Sequence, residues 1–298
     1  MNISNELKKN FGERAKENFP LSPYTSFKTG GRGKIVVFPV NKIEIEKIFS
    51  LCEKYKEKIL ILGKGTNVLI SDYGFDGVII STLFLNKIRK EKSSVICECG
   101  VLISHLLSFC IKNNLGGIEF LSGIPGTIGG AVVSNAGLKK KWIGEKVEWV
   151  EVYDKEGKKL KILERAKIKF SYRESNLKNK FVMNVCFKLE EKKKEKIIEE
   201  IRNFMNERRK KQPLGEKSAG SIFKNPEGYY AGKIIEECGL KGFCIGDACI
   251  SKKHANFIIN KGKAKSSDIY KVMEVIEEKV KDKFGIELVP EIKIIGKF

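Results

Sequence analysis

Gly116-Gly-Ile-Glu-Phe-Leu-Ser-Gly-Ile-Pro-Gly-Thr-Ile-Gly-Gly-Ala-Val-Val-Ser-Asn-Ala-Gly137 is the stretch around which the chain is organised. Its glycines are Gly116, Gly117, Gly123, Gly126, Gly129, Gly130 and Gly137, and large side chains are almost absent from Ser122 to Gly130. Backbone without Cβ atoms can approach a ligand closely, and its N–H groups can converge on an anion. Pro125 fixes one dihedral and stiffens the turn, while Ser122 and Thr127 can add hydroxyl donors. A plain Gly-rich connection would have the same composition. A second small-residue turn, Gly63-Lys-Gly-Thr-Asn67, directly follows the apolar strand Ile59-Leu-Ile-Leu62. Two such loops in one domain suggest a diphosphate held by both.

The chain has 298 residues, enough for two domains or a large one with an insertion, and 42% hydrophobic content is ordinary for a globular protein. No apolar stretch is long enough to span a membrane. The polar segment Met1 to Asn18 does not read as a signal peptide, so a cytoplasmic location is expected. Among the eight cysteines only Cys97-Glu-Cys99 forms a close pair, and strand alternation sends both side chains to one face. With no Cys-x-x-Cys and only His105 and His254, no metal site is expected; buried, reduced thiols are. The net charge of +20 attracts polyanions. The lysines are nevertheless dispersed among glutamates, as in Glu190-Glu-Lys-Lys-Lys-Glu-Lys196, and no basic-aromatic motif of an RNA-binding module stands out. Most of that charge is read as solvated surface.

Met1 to Leu21 reads as an exposed helix or arm. Lys34 to Pro39 is a strand, and Asn41 with Glu44 opens a helix to about Lys56. Strands follow at Lys58–Leu62, Val68–Ile70 and Gly77–Ile80, completing a small β-α-β unit. Ser94 to Cys99 is a strand. Leu102 to Asn114 is an amphipathic helix, with His105 an ordinary member of it. Val147–Tyr153 and Lys159–Ile162 form a hairpin around a turn at 155–157, and Phe181 to Leu189 is a strand. The charged helix Glu190 to Lys211 is the best domain boundary. Helices follow from Ala231 to Cys238 and from a Ser266–Asp268 cap to Phe284, where Gly285 stops it.

Three residues stand out as chemistry. Arg173, in Ser171-Tyr-Arg-Glu-Ser175, can grip a carboxylate with two parallel hydrogen bonds, or simply pair with Glu174 at the surface. Ser221 lies in a tight loop after Gly220, as a donor or as a turn hydroxyl; Gly220-Ser-Ile-Phe does not match the hydrolase pattern Gly-x-Ser-x-Gly. Glu291 follows Pro290 between two apolar strands, where a carboxylate is either desolvated, suiting acid–base work, or an exposed turn residue.

Taken together and in order, these motifs resemble the UDP-N-acetylenolpyruvoylglucosamine reductase family. The resemblance rests on Thr25-Ser-Phe-Lys-Thr-Gly-Gly31, Leu62 to Asp72, Gly117 to Gly137, Ser171 to Asn176, Ala219-Gly-Ser-Ile-Phe-Lys-Asn-Pro226, Ala231-Gly-Lys-Ile-Ile-Glu236, Lys253-His-Ala-Asn-Phe-Ile-Ile-Asn260 and Pro290-Glu291. It implies an α+β flavoprotein: a two-part FAD-binding domain of the vanillyl-alcohol-oxidase/PCMH type (1–190, subdomains about 1–83 and 84–190), plus a C-terminal α/β substrate-binding domain (191–298) whose last strand returns to the flavin. By resemblance, FAD is held by Gly63, Lys64, Gly65, Thr66, Asn67, Leu69, Ser122, Gly123, Pro125, Gly126, Thr127, Gly129, Gly130, Ser134, Asn135 and Val182. Arg173, Ser221 and Glu291 are implied as catalytic, with Ser221 the proton donor, and Lys211 and Asn225 as contacts to a UDP-sugar substrate.

The implied reaction passes hydride from NADPH to FAD, and then from flavin N5 to an enolpyruvyl ether. A monomer without nucleic-acid partners or membrane insertion is expected. The sequence departs from the family pattern at Leu138-Lys-Lys-Lys141, where a small and aromatic pair is more usual, and at Cys249, where an amide is. No tyrosine-bearing insertion follows Tyr172, so the chain resembles the shorter subclass. Three rivals remain at this level: an alcohol-oxidising flavin enzyme of the same superfamily, a nucleic-acid-binding protein, and a flavin module without catalysis.

Overall fold

The computed structural model describes residues 2–138, 141–154 and 159–298. The turn expected at 155–157, and Lys139 and Lys140, lie outside them. In chain order the elements begin with α1 (Ile3–Phe11), β1 (Ala15–Pro20), β2 (Arg32–Val37), α2 (Lys42–Lys54), β3 (Ile59–Leu62), β4 (Val68–Ile70), β5 (Phe75–Ser81), β6 (Ile88–Glu91) and β7 (Ser94–Glu98). Then come α3 (Ile103–Lys112), β8 (Leu115–Gly116), α4 (Ile128–Val133), β9 (Gly137–Leu138), β10 (Lys141–Trp142), β11 (Val147–Asp154), β12 (Lys159–Glu164), β13 (Phe170–Ser171), β14 (Glu174–Ser175), β15 (Phe181–Lys188) and β16 (Glu190–Glu191). The chain closes with α5 (Lys194–Lys211), α6 (Ala231–Glu237), β17 (Cys244–Ile245), β18 (Ala248–Ile250), β19 (Ile258–Asn260), α7 (Ser266–Phe284) and β20 (Lys293–Ile295).

Packing groups these elements into two compact units, each made of three segments that alternate along the sequence. The first comprises Met1–Glu17, Ile35–Lys64 and Gly77–Glu207. One sheet runs β1–β2–β5–β3, with β3 parallel to β5; the other runs β12–β11–β15–β7–β6 and is antiparallel throughout. Period-two alternation sends Val150, Val152, Val185 and Phe187 into a core with Ile45, Ile48, Leu106 and Ile128. The N-terminus is not an exposed arm. Ile3, Leu7 and Phe11 recur every four residues, form one helical stripe and are buried in that core.

Asn41 accepts from Glu44 N at 3.0 Å, starting α2 as expected. The Glu44 carboxylate is taken by Arg14 in two parallel bonds of 2.5 and 2.6 Å, with Val40 N at 2.9 Å. The Arg14 hydrogen bonds hold the Glu44 carboxyl below its ordinary pKa, against the opposing effect of burial. A depressed folded-state pKa means stability that is present above the unfolded value of about 4.3 and lost as pH falls through the folded one. Glu44→Gln is therefore expected to cost about 1–2 kcal/mol at pH 7. The gap to wild type should shrink below about pH 4. Urea titrations at pH 7 and pH 3.5 measure both; an equal gap at the two values would refute the assignment.

The second unit comprises Asn18–Lys34, Gly65–Asp76 and Arg208–Phe298. Its core gathers Phe27 and Leu69 with Ile222, Phe223, Ile235, Ile258 and Ile276. β20 lies parallel to β4, pairing Lys293 with Val68 and Ile295 with Ile70. The start of α7 is capped twice. Asp268 takes Lys265 N at 2.9 Å, and Asp72, 194 residues away, takes Ser266 N at 2.8 Å and Ser267 N at 2.9 Å. Gly285 ends the helix in the left-handed conformation.

The expectation of reduced thiols holds at six cysteines and fails at two. Burial pushes the Cys52, Cys110 and Cys186 thiols up to about 12 and Cys97 higher still, leaving them inert. Cys244 and Cys249, however, form a disulfide. The two-residue turn Gly246-Asp247 folds β17 back on β18 and sets the two cysteines directly opposite each other. Thiol titration of denatured protein is expected to give six thiols without reductant and eight after dithiothreitol. Eight in both would remove the bond.

Candidate active site

The Gly-rich stretch is anchored by backbone bonds. Ile128 N donates to Val101 O and Gly129 N to Cys99 O, each at 2.8 Å, and Ile103 N donates to Gly126 O at 3.1 Å. These pin the loop to the residues that follow β7. Its entry is fixed by a feature missed in the sequence: the buried Glu119 carboxylate accepts from Gly117 N at 2.9 Å and from Lys192 Nζ at 3.1 Å. Thr127, buried, begins α4. Gly63 meets this loop, since a Cβ there would come to 2.5 Å from Thr127 Oγ1. Ser122 is also buried, and its Oγ has no hydrogen-bonding partner among the described residues. Val182 is buried on β15, Ser134 Oγ donates to Gly130 O at 2.9 Å, and Pro125 and Lys64 are exposed.

Asn135 links this loop to the arginine hairpin. Its Nδ2 donates to Ser171 O at 2.8 Å and its Oδ1 accepts from Gly144 N at 3.1 Å. Ser175 Oγ adds a bond to Val133 O at 2.7 Å. β13 and β14 pair Phe170 with Ser175 and Ser171 with Glu174, leaving Tyr172 and Arg173 at the tip. Arg173 has φ +56°, left-handed backbone that a non-glycine residue adopts at some cost. Its guanidinium lies over the Trp142 ring, 5.8 Å from the centroid, rather than standing as an exposed surface arginine.

The second unit brings Ser221, Glu291 and Asn67 together. Ser221 bridges Phe257 and Phe223 bridges Pro290, both antiparallel. Glu291 N donates to Ile222 O at 2.7 Å, so the two candidate side chains stand on paired segments. Glu291 is half-buried rather than an exposed turn residue. Asn67 Nδ2 donates to Glu291 O at 3.2 Å, and Lys293 N to Asn67 O at 3.0 Å. The Gly63–Asn67 turn thus touches the C-terminal strand through its last residue. Ser26 N donates to Gly65 O at 2.9 Å, Leu69 is buried on β4, and Thr66 is half-buried. Asn225 Oδ1 accepts from Ala231 N at 3.0 Å and so caps α6; Lys211 is exposed at the end of α5.

Sequence reading gave no role to Asn256 and Asn260, both buried. Asn256 donates to Phe223 O at 2.8 Å and accepts from Phe223 N at 2.9 Å, holding the Ser221 segment straight. Asn260 donates to Phe27 O at 2.8 Å. Two amides inside the apolar run Ala255 to Asn260 were the available signal, because buried polar groups need partners. Burial, and then Lys241, lower the pKa of His254. Among the described residues no helix is long and apolar enough to cross a membrane, and no cluster of three or more metal-ligating side chains occurs.

Residues 33–162 match the family described as an FAD binding domain, and residues 212–295 the family described as UDP-N-acetylenolpyruvoylglucosamine reductase, C-terminal domain. The chain is 43% identical over 286 residues to a UDP-N-acetylenolpyruvoylglucosamine reductase of Clostridium novyi (strain NT), covering 95% of this chain and 93% of that one. It is 40% identical over 296 residues to the protein of that description from Clostridium tetani (strain Massachusetts / E88), covering 99% and 96%. Among solved structures, it resembles the UDP-N-acetylenolpyruvylglucosamine reductase from Thermus caldophilus with a TM-score of 0.81 and 31% identity, over 93% of this chain and 97% of that one.

Proposed function

This chain belongs to the UDP-N-acetylenolpyruvoylglucosamine reductase family, and from that premise we propose how its residues divide the reaction. It is an FAD-dependent NADPH oxidoreductase, a UDP-N-acetylmuramate dehydrogenase of peptidoglycan precursor synthesis. The substrate is a UDP-sugar carrying an enolpyruvyl ether, and the enzyme works in the cytoplasm as a monomer. Residues 1–190 serve the flavin and 191–298 the substrate.

The residues present fit FAD. A buried hydroxyl without a hydrogen-bonding partner among the described residues, Ser122 Oγ, followed by Gly123, suits an oxygen-rich anion. Gly63 to Asn67 with Leu69, Ser122 to Gly130, Ser134, Asn135 and Val182 would hold it. The chemistry FAD supplies when bound is two-electron hydride transfer, from NADPH to the enolpyruvyl double bond.

The protein's own residues do the rest. Hydride addition at the methylene carbon leaves an electron pair on the carbon bearing the carboxylate, delocalised as an enolate. Arg173 stabilises that growing charge with a guanidinium that keeps its proton. Ser221 Oγ–H gives its proton to the carbon and completes the C–H bond. Glu291 acts with Arg173 at the carboxylate end, and Lys211 and Asn225 contact the UDP-sugar.

The observation that carries this division is the 2.7 Å bond from Glu291 N to Ile222 O, which sets the acid and the carboxylate-end residue on adjacent paired segments. Anaerobic spectroscopy tests it. NADPH should bleach the flavin absorbance, and UDP-N-acetylenolpyruvoylglucosamine should restore it. Bleaching without recovery would refute the substrate assignment.

A further inference from the structure

We propose that Trp142 is a positioning residue for Arg173, fixing the guanidinium so that it meets the substrate carboxylate; the proposal rests on the role given to Arg173 above. The loop departs here from the family pattern expected of the sequence. Three features make the indole a fixed platform rather than a loose surface ring, and a fourth opens its surroundings to a ligand. In the β9–β10 pair Gly137 lies opposite Trp142, and a Cβ on Gly137 would come to 2.4 Å from Trp142 Cε3 and 3.0 Å from Cδ2, so only glycine leaves room for the ring. Tyr172 meets the indole edge-on, centroids 5.7 Å apart and planes at 80°. Asn135 ties the start of the Trp142 loop to Ser171, one residue from that tyrosine. A cavity of about 250 Å³ is lined by Trp142, Phe170 and Tyr172 together with Asn135, so the indole is not simply core filling.

Arg173 needs such a platform. Its backbone is left-handed at a hairpin tip, and a long flexible side chain leaving that tip would sample many rotamers. The ring quadrupole favours the cation over the indole face, and the guanidinium N–H groups lie in the plane in which a carboxylate is gripped. Trp142 touches neither substrate nor flavin in this scheme; it removes the freedom that binding would otherwise have to freeze.

The test compares two ligands on the FAD-loaded enzyme without NADPH: UDP-N-acetylenolpyruvoylglucosamine, and UDP-N-acetylglucosamine, which lacks the carboxylate. Calorimetric titration gives both dissociation constants. Trp142→Leu and Trp142→Gln are each expected to weaken the first by about tenfold and leave the second unchanged. Trp142→Phe, which keeps a π face, should recover most of the loss. Arg173→Met should remove the preference for the carboxylate-bearing ligand, and adding Trp142→Leu to it should cost nothing further.

Equal weakening of both ligands, or unchanged selectivity in whichever Trp142 variant folds, would overturn the positioning role while leaving Arg173 in place. Preserved selectivity in Arg173→Met would instead overturn the reading of Arg173 itself.

Discussion

Ser221→Ala is expected to leave flavin reduction by NADPH unchanged and to slow reoxidation by the UDP-sugar by about a hundredfold to ten-thousandfold, the range for a lost general acid. The substitution removes one oxygen from a half-buried side chain. Its surroundings are held by backbone: Ile222 N to Asn256 O at 2.9 Å, and the Ser221–Phe257 bridge. None of these bonds needs the hydroxyl, so the unfolding midpoint should not move. Stopped-flow absorbance of the two half-reactions separates the effects. A matched loss in both would point to disturbed flavin binding, and turnover within about threefold of wild type would remove Ser221 from the proton transfer. Ser221→Cys, with a donor of similar reach, should recover part of the rate.

The second large effect is expected at Gly65→Ala. Gly65 has φ +64°, and a Cβ there would lie 2.1 Å from Tyr24 O and 2.9 Å from Thr25 Cα. Both neighbours are backbone, so the turn itself must move. A left-handed alanine alone costs about 1–2 kcal/mol, and the overlap adds a forced shift of the loop that carries Thr66 and Asn67. The protein should purify largely without FAD, with activity down at least a hundredfold in proportion to the lost flavin. Gly215→Ala supplies the control: φ is +90° there, but nothing lies within 4 Å of a new Cβ. It pays only the backbone strain and should keep its flavin. If the two variants retained FAD equally, the close approach at Gly65 would not matter to binding.

Most secondary structure was legible because each signal was local. The apolar run of Phe181 to Phe187, the Asn41–Glu44 spacing and the Gly285 stop act within a few residues. The burial of α1 was also written locally, in Ile3, Leu7 and Phe11, but the surrounding lysines and asparagines masked it. The Cys244–Cys249 pair was readable too, from a Gly-Asp turn with a cysteine two residues before and after it. The second cap of α7 could not be read: Asp72 lies 194 residues from the backbone it serves, and no propensity reports a partner that distant. The same limit applies to the site. Arg173, Ser221 and Glu291 stood out by chemistry and resemblance. Their supports, Trp142, Asn256 and Asn67, are defined by contacts made only after folding.

The interleaved second unit bears on how the protein is made. Segments Asn18–Lys34 and Gly65–Asp76 leave the ribosome early, but Asn260, the start of α7 and β20, which they bind, are synthesised near the end. At roughly 5–20 residues per second the nascent chain carries Phe27 and Leu69 without their core for on the order of ten to forty seconds. A stop codon anywhere before β20 leaves the strand beside the Gly-rich turn with an open edge, a template for aggregation. Fragments for expression are therefore better cut by deleting all three segments of one unit than by dividing the chain at a single point.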